Sequence, residues 1–163
     1  MAFIAEDLGV ITPPVTRLRR ELGYPGMVVL QFAFDPDDPR GPHRLENHGS
    51  DVVAYTGTHD TDTLRGWWET LEAPRRDEAR SALRAAGMAD DDVDWGLIRL
   101  WMRSPAPLVM LQVQDVLGLG SEARMNLPGT AGGAWKFALE RGQLKASHAR
   151  RLRAATAEAG RLA

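Results

Sequence analysis

Four short apolar runs punctuate this chain: Met1–Ala5, Met27–Phe34, Asp51–Tyr55 and Leu108–Val113. They are rich in β-branched and large apolar side chains, and each gives way abruptly to polar or charged residues. Such runs predict strands buried on both faces, as in a parallel sheet. Between the first two, Thr12 is placed to cap a helix with Pro13 at its first position, running to about Leu22. Gly23 ends it and Tyr24-Pro25-Gly26 turns the chain, completing one right-handed βαβ unit. Residues 35–50 carry three Pro, two Gly and two His without periodicity and read as a long surface loop.

After the third strand, Thr61 or Thr63 caps a helix to about Leu71, and Arg75–Ala86 forms a second, closed by Gly87. Asp90–Asp92 caps a third, Val93–Met102, in which Trp95, Ile98 and Trp101 fall at helical spacing and belong to the core. Beyond the fourth strand the pattern predicts a short turn at Asp115–Gly120 and an irregular loop at Ser121–Thr130. An extended Gly132–Leu139 and an amphipathic helix from about Ala146 to Leu162 complete the chain. Four buried strands separated by helices make a parallel α/β sheet, either a small doubly wound sheet or half of a (β/α)₈ barrel, whose full form takes about 250 residues. Both architectures place their sites at the C-terminal ends of strands, where Glu6, Phe32, His59-Asp60 and Gln112–Gln114 stand.

Composition narrows the function classes. A net charge of −2 offers no electrostatic attraction for nucleic acid or an anionic membrane. The absence of Cys excludes disulfides and thiolate metal sites and fits a cytoplasmic protein. No apolar stretch approaches the roughly 20 residues of a bilayer span, and the N-terminus has no secretory pattern.

Two carboxylates stand at matching strand ends. Glu6 follows an apolar run, where partial desolvation would raise its pKa toward that of a general acid. Asp60, beside His59, is its counterpart further along the sheet. Either acid alone reads as a helix cap or an ion-pair partner, but paired carboxylates across a sugar are the means by which glycosidic bonds are cut. Other chemistries fit less well. A metal-binding His-Asp site would need further histidines that His43, His48 and His148 are not placed to supply. Asp60-Thr61-Asp62 matches a short Asp-x-Asp motif, but without a sugar-nucleotide fold. Asp35-x-Asp37-Asp38 lacks the Gly and distal Glu of a calcium loop.

Four blocks carry a resemblance: I-A-E-D-L-G-V-I-T-P (4–13), P-G-M-V-V-L-Q-F-A-F (25–34), V-A-Y-T-G-T-H-D-T-D-T (53–63) and L-G-L-G-S-E-A-R-M-N-L-P-G-T (117–130). In order and spacing the chain resembles the C-terminal part of the amylomaltases, bacterial 4-α-glucanotransferases also called disproportionating enzymes. The resemblance implies a (β/α)₈ barrel that breaks an α-1,4 bond in maltooligosaccharides or starch and passes the glucan to another 4-hydroxyl with retention. It assigns Glu6 as general acid/base and Asp60 as the carboxylate that stabilises the transition state, with His59 on the same ring. Phe32 becomes an aromatic near the cleft and Asn126 a polar contact. No cofactor is implied, since carboxylate chemistry needs neither metal nor nucleotide.

The chain also departs from the family. The nucleophilic Asp is expected upstream of Met1, so that residues 1–163 form a single partial domain, inactive alone unless Asp35 or Asp62 serves as nucleophile. Ala134-Trp135-Lys136-Phe137 stands where the family has Asn-Trp-x-Trp. An open half barrel would expose two strand edges and its apolar inner face, favouring self-association. The alternatives are a non-catalytic α-glucan-binding module and a related glucan hydrolase or branching-type barrel.

Overall fold

The computed structural model describes residues 3–88 and 92–162. In chain order the elements are α1 (Pro13–Glu21), β1 (Gly26–Val29), β2 (Val52–Tyr55), α2 (Leu64–Thr70), α3 (Ala73–Ala85), α4 (Val93–Met102), β3 (Leu108–Met110), α5 (Val113–Leu117) and α6 (Ala146–Glu158), with short 3₁₀ turns at Leu30–Phe32, Leu45–Asn47 and Ser121–Ala123. The strands form one parallel sheet in the order β1-β2-β3. Met27 is level with Val53 and Leu108, and Val29 with Tyr55 and Met110.

Strand alternation sends these six side chains to one face and Val28, Ala54 and Val109 to the other. The second face is covered. Val28 and Ala54 join a core built on α4, whose Trp95, Leu97, Ile98, Leu100, Trp101 and Met102 are all buried. A helix with apolar side chains over most of its circumference, broken by Asp94 and Arg99, belongs largely in an interior. The first face is only partly covered, and Leu108 and Met110 remain 45% exposed. Two concavities lie along it: one at the C-terminal strand ends, and one of about 860 Å³ at the N-terminal ends, bounded by Phe3, Ile4, Val53 and Leu108.

Three strands are present among the described residues, not four. The expected first strand includes Met1 and Ala2, which lie outside the described residues, and Phe3–Leu8 joins no ladder. Ala5 N–H donates to the Pro25 carbonyl (2.9 Å), but the next donor of β1, Met27 N–H, goes to the Asp7 carboxylate at 2.7 Å. Val29 N–H goes to His43 Nδ1 (3.1 Å). Side chains therefore take the outward donors of β1, which corrects the expectation of two open edges. Asp7 is held there by Arg19 at 3.2 Å, and buried Arg19 also donates to the Asp51 carboxylate (3.0 Å) and to the Tyr24 carbonyl (2.9 Å).

Other expectations shift by a few residues. The second strand stops at Val29, where the chain enters a 3₁₀ turn, and the fourth stops at Met110. Asp115 sits in α5, which closes at Gly118 in the left-handed conformation (φ 66°). Thr63, not Thr61, caps α2, accepting from Gly66 N–H. Asp92 occupies the N-cap of α4 without a side-chain cap bond, while Asp90 and Asp91 fall outside the described residues. Within Gly132–Leu139, Gly132, Gly133 and Trp135 are bends, and the segment joins no strand. The final helix ends at Glu158, and Gly160 turns the chain at φ 68°. No helix among the described residues is long and apolar enough to cross a membrane.

Candidate active site

The loop after β2 is built around a glycine. A Cβ on Gly57 would lie 2.6 Å from Thr61 Oγ1, 2.9 Å from Gln112 Nε2 and 3.1 Å from Gln31 Nε2, so a larger residue would displace the side chains that hold the loop. Those amides brace the loop from the segments that follow β1 and β3: Gln31 donates to the Asp62 carbonyl (2.6 Å) and Gln112 to the Thr58 carbonyl (2.5 Å). Thr58 and Thr61 tie the turn to itself, since Thr61 Oγ1 accepts from Thr58 N–H (2.9 Å) and Thr58 Oγ1 from Asp60 N–H (3.2 Å). His59 and Asp60 project from the top of this knot.

Beneath it, Asp115 accepts from the Thr56 hydroxyl (2.6 Å) and from Leu64 N–H, the first donor of α2 (2.8 Å). Burial pushes the Asp115 carboxyl up to about 6, the two hydrogen bonds oppose the rise, and the charges of Asp94 and Asp62 add to it. Asp94 is likewise raised by burial, although Arg65 pairs with it. These buried acids anchor α2 and α5 under the loop and do not reach its surface.

A cavity of about 290 Å³ opens at the C-terminal ends of the strands, with Glu6, Tyr55, His59, Met110, Gln112 and Met125 in its wall. Burial holds the Tyr55 phenol above its ordinary pKa, so it stays neutral there. Glu6 and His59 thus share one wall. Asp60 stands behind His59, with Oδ1 accepting from Asn126 Nδ2 (2.5 Å) and lying 3.4 Å from His59 Nε2. The backbone joins in: Asn126 N–H donates to the His59 carbonyl (3.0 Å) and Arg124 to the Asp60 carbonyl (2.6 Å). Among the described residues only one oxygen of Asp60, Oδ1, is engaged.

The fold therefore brings together Glu6, His59, Asp60 and Asn126 from segments far apart in sequence. Phe32 stands elsewhere: it is 44% exposed, packs edge-on against His43 at 5.3 Å, and does not line the cavity. Glu6 is exposed, because the segment carrying it is an open strap and not a buried strand, so the desolvation expected of it is not supplied by the described residues. Asp35 pairs with Arg75 and accepts from Asp37 N–H, while Asp62 accepts from Ser121 Oγ (2.7 Å) and Thr63 N–H (2.8 Å). Neither lines the cavity.

Sequence reasoning missed the cavity's apolar floor of Met27, Tyr55 and Met110, although strand alternation marks those positions. It named Trp135 within the segment matched to Asn-Trp-x-Trp but did not foresee its contact with His59, on which its ring packs with centroids 5.2 Å apart and planes 31° from parallel. No group of three or more His, Cys, Asp or Glu able to hold a metal occurs among the described residues.

Residues 1–144 match the family model of the 4-alpha-glucanotransferases. The chain is 50% identical over 135 residues to the chloroplastic/amyloplastic 4-alpha-glucanotransferase of Arabidopsis thaliana, covering 82% of this chain and 23% of that protein. It is 49% identical over 156 residues to the Thermus thermophilus 4-alpha-glucanotransferase, covering 93% of this chain and 31% of the relative. The chain thus spans less than a third of the length of these relatives. In structure it is similar to the amylomaltase of Streptococcus agalactiae in complex with acarbose, with a TM-score of 0.90 and 27% identity over 97% of this chain and 32% of that one. A family model that takes in most of the chain, relatives at half identity and a shared fold agree: this chain belongs to the 4-alpha-glucanotransferase family.

Proposed function

We propose that residues 1–163 are a C-terminal portion of the (β/α)₈ catalytic barrel of a 4-α-glucanotransferase. The proposed substrates are α-1,4-glucans, including maltooligosaccharides and starch, in a cytoplasmic setting. The observation that carries this reading is the shared wall of Glu6 and His59 at the C-terminal strand ends, with Asp60 locked to Asn126 behind it. Barrel enzymes keep their chemistry at that end. The helix-covered face and the half-covered apolar face of the sheet correspond to the outside and inside of such a barrel.

In this reading Glu6 protonates the 4-oxygen of the leaving glucan while a carboxylate attacks the anomeric carbon and forms a glycosyl ester. Glu6, now a carboxylate, takes the proton of an acceptor 4-hydroxyl as that oxygen displaces the ester, and the configuration is retained. Asp60 offers Oδ2 to the sugar hydroxyls and to the positive charge that develops on the ring. Glu6 is the one carboxylate lining the cavity among the described residues, so the attacking carboxylate is assigned to the portion of the relatives' length that this chain does not span.

The test is to join the chain to the N-terminal portion of the Thermus thermophilus relative and incubate the product with maltotriose. Glucose plus longer oligosaccharides, with no change in the number of reducing ends, is the expected result. Glu6→Gln should lower turnover by about 10²–10⁴-fold. A rise in reducing ends would replace this reading with a hydrolase, and full activity in Glu6→Gln would remove Glu6 from its role.

A further inference from the structure

Trp135 is placed in a way the fold itself does not explain. It is the one non-glycine residue with positive φ (62°) among the described residues, and it is a large aromatic. A bulky side chain in the left-handed region is strained, and strain of this kind persists where surrounding contacts enforce it. Here the backbone is fastened, since Trp135 N–H donates to the Met125 carbonyl at 2.6 Å. Burial gives nothing in return, because the indole is 61% exposed. Its neighbours point to a ligand. One is His59, whose ring packs tilted against it and which lines the cavity with Glu6; another is Met125, which lines the same cavity.

We infer that Trp135 is a glucan-binding residue. Its indole, backed by His59, forms a flat platform at the mouth of the cavity that takes the apolar C–H face of a glucose unit in an α-1,4-linked oligosaccharide. Asp60 Oδ2 and the amide of Gln112 face hydroxyls on the adjoining units. Aromatic rings suit this task because they present a rigid apolar surface at small entropic cost. The inference rests on the reading of the cavity as a glucan site. It adds a specific contact outside the acid/base pair, in the segment where Ala134 and Phe137 depart from the family's pattern.

The strain supplies a test that separates binding from folding. Trp135→Gly relieves the positive φ and removes the platform, so the melting temperature should hold or rise while affinity falls. Maltoheptaose is titrated into the chain and followed by calorimetry, with Trp135→Ala, Trp135→Gly and Trp135→Phe in parallel. The expected result is affinity at least about tenfold weaker for Ala and Gly, and within about threefold of the parent for Phe. Fluorescence provides a second readout: the exposed-indole emission should shift to shorter wavelength on binding and lose that shift in Trp135→Phe. If Trp135→Gly binds maltoheptaose as the parent does, the platform is overturned and the glucan reading stands. If the parent chain does not bind maltoheptaose at all, the glucan reading of the cavity fails and the platform with it.

Discussion

The ground beneath the Thr56–Thr63 loop and the surface above it are built on opposite terms. Below, Thr56, Thr63 and Asp115 are at most 1% exposed, and both Asp115 oxygens are engaged. Above, His59 is about half exposed, Asp60 keeps one oxygen disengaged among the described residues, and Trp135 is strained and open. The same residue type, Asp115 below and Asp60 above, is thus held in two different ways on either side of one loop. A buried acid whose oxygens are saturated is a fastener, whereas an exposed acid held by one oxygen is available to a ligand. A raised pKa here marks the fastener, which cautions against taking perturbation alone as a sign of catalysis.

The difference can be tested by removing each side in turn. Asp115→Ala strands the Thr56 hydroxyl and the Leu64 N–H in a dry interior, and should cost about 2–4 kcal/mol in urea unfolding. That is the largest effect expected, and a loss below about 0.5 kcal/mol would show that the fastener carries no load.

Titration gives the next effect. The Asp115 carboxyl sits at about 6 in the folded chain against an ordinary 3.8, so the folded state holds this proton more tightly than the unfolded state. Its contribution is therefore full below about pH 4 and is lost as pH rises to 6, with a slope of up to about 1.4 kcal/mol per pH unit. Asp115→Asn should remove that slope from a plot of stability against pH. A variant with the parent's slope would place the proton elsewhere.

Above the loop the expected change in stability is smallest. Asn126→Ala frees Asp60 and should shift stability by less than about 1 kcal/mol, because the pair is half exposed. Maltoheptaose affinity should nevertheless fall several-fold, as the Asp60 carboxylate loses the Asn126 amide while the backbone bond to the His59 carbonyl is kept. Equal damage to folding and binding would erase the distinction between fastener and site.

The helices were legible because their signals are local. Pro13 after Thr12, the cap at Thr63 and the dense apolar spacing of α4 each act within a turn or two of backbone. The V-V-A-Y run likewise appears as β2, one strand of a parallel sheet. Glu6 is the instructive failure. An apolar run before an acid reads as a strand, but whether it joins a ladder depends on what its neighbour's donors choose, and here Asp7 and His43 take them.

By itself the sequence determined the parallel α/β character, the family and the polar residues that follow the strand ends, because period, caps and motif blocks are all written along the chain. Only the tertiary structure decided that Asn126 grips Asp60, that Trp135 lies on His59, and that Phe32 stands outside the cavity. Those contacts join residues tens of positions apart. Their geometry follows from how strand ends and loops converge in space, which no local pattern encodes.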